Sequence, residues 1–279
     1  MKTFRFKQQG MTLIELMIAG VISIIIGLVV MQLMIGSNRA SNRIDGMAQA
    51  QENARFTLTW LAKQVRHAGF NPELFGAAIQ PVADLCTGAG VVPPANDAAC
   101  TWEATDQAGD RLAIRRKFRD TTDNTWDQFT CSGVDLAGLP GVDDESVIID
   151  VYWVALNTSG GTDDEYDDVL RCASYLENSG ADTILSGGVQ TIASGIESFQ
   201  VLYADPGAGS TNATRYVPAD QATITDVTTI RIAILARAFS DAARVQGKRS
   251  YIVLDANPIT LEDNTPRQIL ETTVFFPNR

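Results

Sequence analysis

Residues 8–39, QQGMTLIELMIAGVISIIIGLVVMQLMIGSNR, decide how this chain is built. No residue from Leu16 to Asn38 is charged, and Leu16 to Ile35 is almost wholly apolar. As a helix, twenty such residues rise about 30 Å, the thickness of a bilayer's hydrocarbon core. The ten residues in front, MKTFRFKQQG, carry Lys2, Arg5 and Lys7 and no acid. That bias predicts a cytoplasmic N-terminus and a body beyond the membrane. A cleavable secretory signal fits poorly, because the apolar run is longer than such signals use. Its only small-residue site, Ala48-Gln49-Ala50, also lies well past the run. A plain signal anchor accounts for the hydropathy equally well.

Glu15 separates these readings. A carboxylate at the start of a membrane helix costs a few kcal/mol to bury and asks for a partner. A cut between Gly10 and Met11 creates an α-amino group four residues before Glu15, on the same helix face. The carboxylate can neutralise that amine in its own chain, or in a neighbour when many such helices bundle. The alternative is an interfacial Glu reaching the headgroups. Gln8-Gln9-Gly10 followed by Met11-Thr12-Leu13-Ile14-Glu15-Leu16 resembles the class III leader of type IV prepilins and pseudopilins. The resemblance implies cleavage after Gly10, N-methylation of Met11 by a prepilin peptidase, and a docking role for Glu15 in assembly. Two features depart from the usual pattern: Met11 stands where Phe is commonest, and the span lacks a helix-bending proline.

Beyond the span, Ile44, Met47, Ala54, Leu58, Leu61, Val65 and Ala68 recur at three- and four-residue spacing, with Gln51 the one polar residue among them. Arg43, Asp45, Glu52, Arg55, Lys63 and Arg66 take the opposite face. The pattern predicts one helix from Met11 to Ala68, roughly 85–90 Å long by its rise. Gly69 and Pro72 then stop it. The chain divides accordingly into a leader (1–10), a membrane or filament-core half-helix (11–35), an amphipathic half-helix (36–70) and a head domain (71–279).

The head reads as strands and turns. Residues 76–109 are rich in Gly, Ala and Pro and are expected to be irregular. Leu112, Ile114 and Phe118 alternate with polar residues, as a half-buried strand does. Val147–Leu156 and Val169–Ser174 read as a hairpin, with further strands at Ile196–Tyr203, Val227–Ala238, Tyr251–Leu254 and Ile269–Phe276. A long N-terminal helix on a mostly antiparallel sheet is α+β.

Charge and chemistry-bearing residues narrow the function. Three of the 22 basic residues lie in the leader; the other 19 face 33 acidic ones, a net of −14. So acidic a body argues against nucleic acid as partner. Cys86, Cys100, Cys131 and Cys172 contain no C-x-x-C pair, and the sole histidine, His67, is far away, which disfavours zinc. In an exported domain the even count fits two disulfides. Three connectivities are open, and neighbour pairing, Cys86–Cys100 and Cys131–Cys172, is the one adopted here; four reduced thiols are the alternative. The run Asp163-Asp164-Glu165-Tyr166-Asp167-Asp168 offers oxygen ligands to calcium but lacks the EF-hand spacing and glycine, so no cofactor is expected beyond that weak candidate. With one histidine on the helix, no nucleophile–base pair is marked, and no catalytic activity is expected.

Longer blocks sharpen the resemblance. Gln51-Glu52-Asn53-Ala54-Arg55-Phe56 and Val65-Arg66-His67-Ala68-Gly69-Phe70 resemble the end of the first helix in the PilW family of minor pilins. So do Gly195 to Tyr203, Arg215 to Asp220, Val227 to Arg237 and the tail from Glu271 to Arg279. The resemblance implies a minor pilin that primes type IV pilus assembly, sits near the tip and serves twitching motility. Its implied partners are other minor pilins, the major pilin, the prepilin peptidase and the inner-membrane assembly machinery. It implies a single-pass inner-membrane protein with a periplasmic head, later part of the filament. A minor pseudopilin of type II secretion is the nearest alternative, and a pilin-anchored binding or adhesin module a more distant one.

Overall fold

The computed structural model describes residues 11–69, 78–79, 86–87, 99–118, 128–143, 146–156, 168–177, 182–185, 187–206, 215–238, 247–263 and 265–277. They form one α-helix, α1 (Leu13–Val65), a short 3-10 helix (Ile224–Asp226) and twelve strands. The chain separates into two compact units, Met1–Asp45 and Gly46–Arg279. In the first, the described residues are the opening of α1, and its apolar side chains from Met11 to Ile35 are all exposed. No α1 residue before Gly46 is buried.

In the second unit the helix has a covered face of Gly46, Ala50, Ala54, Thr57, Leu58, Leu61, Ala62 and Val65. From Ala54 to Val65 it is the face the spacing predicts, but before that Gly46 and Ala50 are covered in place of Ile44, Met47 and Gln51: Met47 is 38 % exposed and Gln51 is also exposed. The physical reason is residue size. Gly46 and Ala50 add little bulk to the covered face, whereas hydrophobicity alone selects the bulkier Met47. Gly69 ends the helix in the left-handed region, φ 70°, and its N–H bonds the Arg115 carbonyl at 2.8 Å.

The first sheet runs β1 (Cys86–Thr87), β5 (Asp182–Ile184), β4 (Val169–Leu176), β3 (Val147–Ala155), β2 (Arg111–Lys117), with β6 (Gln190–Ser194) also on β4. Every pairing is antiparallel except β1 with β5. The second sheet runs β12 (Arg267–Phe275), β9 (Thr229–Arg237), β7 (Ile196–Asp205), β8 (Arg215–Val217) and is wholly antiparallel. A hairpin of β10 (Gly247–Tyr251) and β11 (Ile259–Asp263) packs Val253 and Ile259 on Ala233 and Leu235 of β9. The architecture is α+β, as the pattern predicts, but with two main sheets rather than one.

The main core gathers Ala54, Leu58, Leu61 and Val65 from the helix, Leu112, Tyr152 and Leu170 from the first sheet, and Phe199, Val201, Ile232 and Val274 from the second. Expected half-buried, β2 is instead covered on both faces. Ile114 enters the main core while Ala113 joins Ile149, Val151, Trp153 and Tyr175 on the sheet's far side. The strand expected at Tyr251–Leu254 ends at Tyr251, and Leu254 turns with φ 49°.

Candidate functional site

At the start of α1, Thr12 and Glu15 bond each other reciprocally. The Glu15 N–H donates to Thr12 Oγ1 at 3.4 Å. Glu15 Oε2 accepts from the Thr12 backbone N–H at 3.3 Å and from its hydroxyl at 3.2 Å. This is a capping box, in which T-x-x-E satisfies N–H groups that have no intrahelical acceptor. The carboxylate also sits at the positive end of the helix dipole. The pattern was legible at Thr12 and Glu15, but treating Glu15 only as a charge in need of a counter-ion hides it. Met11 is exposed; Gly10 lies outside the described residues. By length and composition α1 contains a segment able to cross a membrane, and none of that segment is buried in the chain.

The head is held by polar nodes joining distant segments. Cys131 and Cys172 form a disulfide spanning 41 residues, next to the buried Arg116–Asp150 ion pair at 2.8 Å. Asp150 also accepts the Ser174 hydroxyl, and Ser174 Oγ accepts the Cys131 N–H at 3.0 Å. The loop carrying Cys131 is thereby fixed to β3 and β4. Cys100 is disulfide-bonded as well; the side chain of Cys86, expected to pair with it, lies outside the described residues. In the second sheet, Arg267 binds Glu197 of β7 through both carboxylate oxygens and Asp263 of β11 at 2.6 Å. The Arg267 bonds hold Asp263 below the ordinary carboxylate range, while burial pushes Glu197 above it.

A third node is acidic. Residues 99–110 bridge the sheets: Trp102 pairs with Arg111 of β2, and the Asp110 N–H bonds the Phe199 carbonyl of β7 at 2.7 Å. The Asp110 carboxylate, 1 % exposed, accepts the N–H groups of Ala104 (2.9 Å) and Val201 (2.7 Å). Nearby, Glu103 Oε2 accepts the Ala219 N–H at 3.0 Å, while its Oε1 is buried without a partner among the described residues. Desolvation, with Asp255 and Asp220 adding repulsion, raises Glu103 to about 7 against the opposing Ala219 hydrogen bond. Asp110 is raised by burial and by Glu103. Among the described residues no group of three or more His, Cys, Asp or Glu side chains is arranged to hold a metal ion. Of the acidic run weighed for calcium, Asp163, Asp164, Glu165 and Asp167 lie outside the described residues. Asp168 is engaged elsewhere, paired with Arg237 at 3.6 Å.

The segment that matches a known family holds most of these sheet elements, from β3 to the end of β12. Residues 151–278 match PilW, the type IV pilus-assembly protein W. The PilW resemblance read from the sequence is thus shown over this stretch. No curated protein matches the chain. Among solved structures it is similar to a type IV-like pilin, TTHA1219, from Thermus thermophilus. That likeness has 15 % identity and a TM-score of 0.45, covering 82 % of this chain and 95 % of the other.

Proposed function

We propose that this chain is a minor pilin. It would be anchored in the inner membrane by the first part of α1, cleaved after Gly10, methylated at Met11 and incorporated near the pilus tip to prime assembly. The observation that carries the reading is the union of two parts in one chain: a PilW-matching head behind an uncovered apolar helix that opens on Thr12 and Glu15. A helix so apolar has no stable place in water, so lipid or a bundle of similar helices must take it. Other minor pilins, the major pilin and the inner-membrane assembly machinery are the partners on this reading.

Mass spectrometry of the mature N-terminus tests the processing step. It should begin at Met11 and carry one methyl group; an intact leader or an unmethylated cut elsewhere contradicts it. Deleting the chain should reduce surface filaments when pili are sheared and counted. Filaments at wild-type number would refute the priming role.

A further inference from the structure

Just past the apolar span stand Arg39 and Arg43, both exposed. They belong to the first compact unit, which ends at Asp45, and α1 runs through them unbroken. Four residues apart, they share one face of the helix. Neither forms an ion pair among the described residues. The nearest acid, Asp45, lies two residues past Arg43 and so faces elsewhere. Like charges at this spacing work against the helix that carries them, and an anion shared by the two offsets that cost. Between Met11 and Ala54 they are the only basic side chains. Once the leader is cut away, as proposed above, Lys2, Arg5 and Lys7 go with it. The pair then carries all the basic side-chain charge next to the span.

Height along α1 decides what reaches them. The apolar run ends at Ile35. Arg39 is about 6 Å beyond it by the helical rise, and Arg43 about 12 Å. The polar layer of a bilayer is about 5–7 Å deep on each side of the hydrocarbon. The Arg39 backbone therefore lies within that layer and Arg43 just outside it. Side chains on a helix lean toward its N-terminus. At the C-terminal end of the span this lean carries both guanidinium groups back toward the membrane, whichever leaflet lies there. Gly36, one turn before Arg39, brings no side chain into that path, and nothing lies within 4 Å of where its Cβ would be.

A guanidinium is a planar fork that grips phosphate through two parallel N–H bonds. We propose that Arg39 and Arg43 clamp the phosphate of a phospholipid headgroup in the leaflet at the C-terminal end of the span. A carboxylate on another protein would have to enter the headgroup layer to meet Arg39, whereas lipid phosphate is already there. The clamp fixes how deep α1 sits. Arg39 is 24 residues after Glu15, about 36 Å along an upright helix, against about 30 Å of hydrocarbon. With Arg39 held among the phosphates, Glu15 stands at the opposite edge of the hydrocarbon rather than within it. The proposal rests on the membrane anchoring proposed above.

The test is native mass spectrometry of the full chain, released from detergent micelles doped with phosphatidylglycerol. A second sample carries diacylglycerol, which has the acyl chains but no phosphate. Phosphatidylglycerol should stay bound and diacylglycerol should not. Changing both residues, Arg39→Gln with Arg43→Gln, should lower the affinity for phosphatidylglycerol by on the order of tenfold. Arg55→Gln, at an exposed arginine further along α1, should leave it unchanged. Resistance of the head to trypsin shows that the variants are folded. Several results overturn the proposal: binding that the double change does not lower, an equal loss in Arg55→Gln, equal retention of diacylglycerol, or release of the lipid by excess inorganic phosphate. Carbonate washing of membranes from cells making the wild-type chain keeps the clamp apart from the anchor. A wild-type chain washed out of the pellet sinks the anchoring reading. A chain kept in the pellet whose lipid binding ignores the double change sinks only the clamp.

Discussion

Replacing Glu103 by Gln should flatten part of the pH dependence of the head's stability. Glu103 ionises at about 7 in the folded chain against 4.5 for the ordinary side chain, chiefly because burial disfavours its charge. A carboxylate raised in this way contributes fully below pH 4.5, where both states are protonated. The contribution is lost as pH rises through 4.5 to 7, because the folded state must then give up a proton it holds more tightly. In full, that difference is worth about 3 kcal/mol. Glu103 is partly exposed, and solvent screening roughly halves the figure, to about 1–2 kcal/mol. Glutamine keeps an oxygen for the Ala219 N–H and puts an amide where the unpartnered Oε1 stands. Glu197 is raised too and remains in the variant, whereas Asp110, raised by burial and by Glu103, loses the second of these causes, so the difference between the two proteins reports Glu103 together with its repulsion on Asp110. Urea unfolding of the full chain in detergent, followed by tryptophan fluorescence, should show Glu103→Gln gaining about 1–2 kcal/mol on wild type between pH 5 and pH 8. A difference that stays constant across that range refutes the reasoning.

Other substitutions probe the remaining nodes. Replacing Cys131 and Cys172 by serine frees a loop of 41 residues and should cost about 2–4 kcal/mol, read as a lower urea midpoint. Arg267→Ala leaves Glu197 buried without its partner and should cost about 3–5 kcal/mol. The double change Arg267→Met with Glu197→Gln should recover most of that loss in the same assay. Gly109, at φ 83°, has no room for a Cβ because the Phe199 carbonyl oxygen occupies the space. Gly109→Ala should therefore cost at least about 2 kcal/mol in thermal unfolding. Glu15→Gln should leave head stability unchanged yet deplete the chain from sheared filaments, measured by immunoblot; normal incorporation would contradict a role for its charge.

The parts of the fold legible in advance are those set by local pattern. The apolar run made α1 visible, Gly69 marked its end, and the apolar stretches on either side of the acidic run gave the β3–β4 pair. What escaped depends on residues far apart in the chain. Arg267 and Glu197 are 70 positions apart, and neither looks buried by composition. Glu103 and Asp110 read as two acids in a polar loop. Only the meeting of residues 99–110 with β7 and the loop at Ala219 takes them out of water. The shift at the start of the covered face of α1 has a similar origin. Hydrophobicity ranks Met47 above Gly46 and Ala50, but the small residues are the ones the head covers. Short strands such as β6 and β8 carry too few residues for alternation to show.

On the proposed reading Glu15 has two tasks, whose compatibility is decided by its two oxygens. As a cap it must keep the first turn of α1 closed, and as a docking charge it must meet an amine. If one oxygen served both, assembly would have to break the cap, exposing N–H groups in an apolar setting where each costs several kcal/mol. The capping bonds fall on one oxygen alone. Both Thr12 donors bond Oε2, and no bond to Oε1 is made among the described residues. A cation approaching Oε1 therefore adds to the capping box rather than competing with it, and Thr12 fixes the carboxylate's rotamer before any partner arrives. That order lowers the entropy that docking must spend on the side chain. If Glu15 docks an amine as proposed, Thr12 belongs to the same element, because without its hydroxyl Glu15 would meet the incoming amine as a free side chain on a fraying turn.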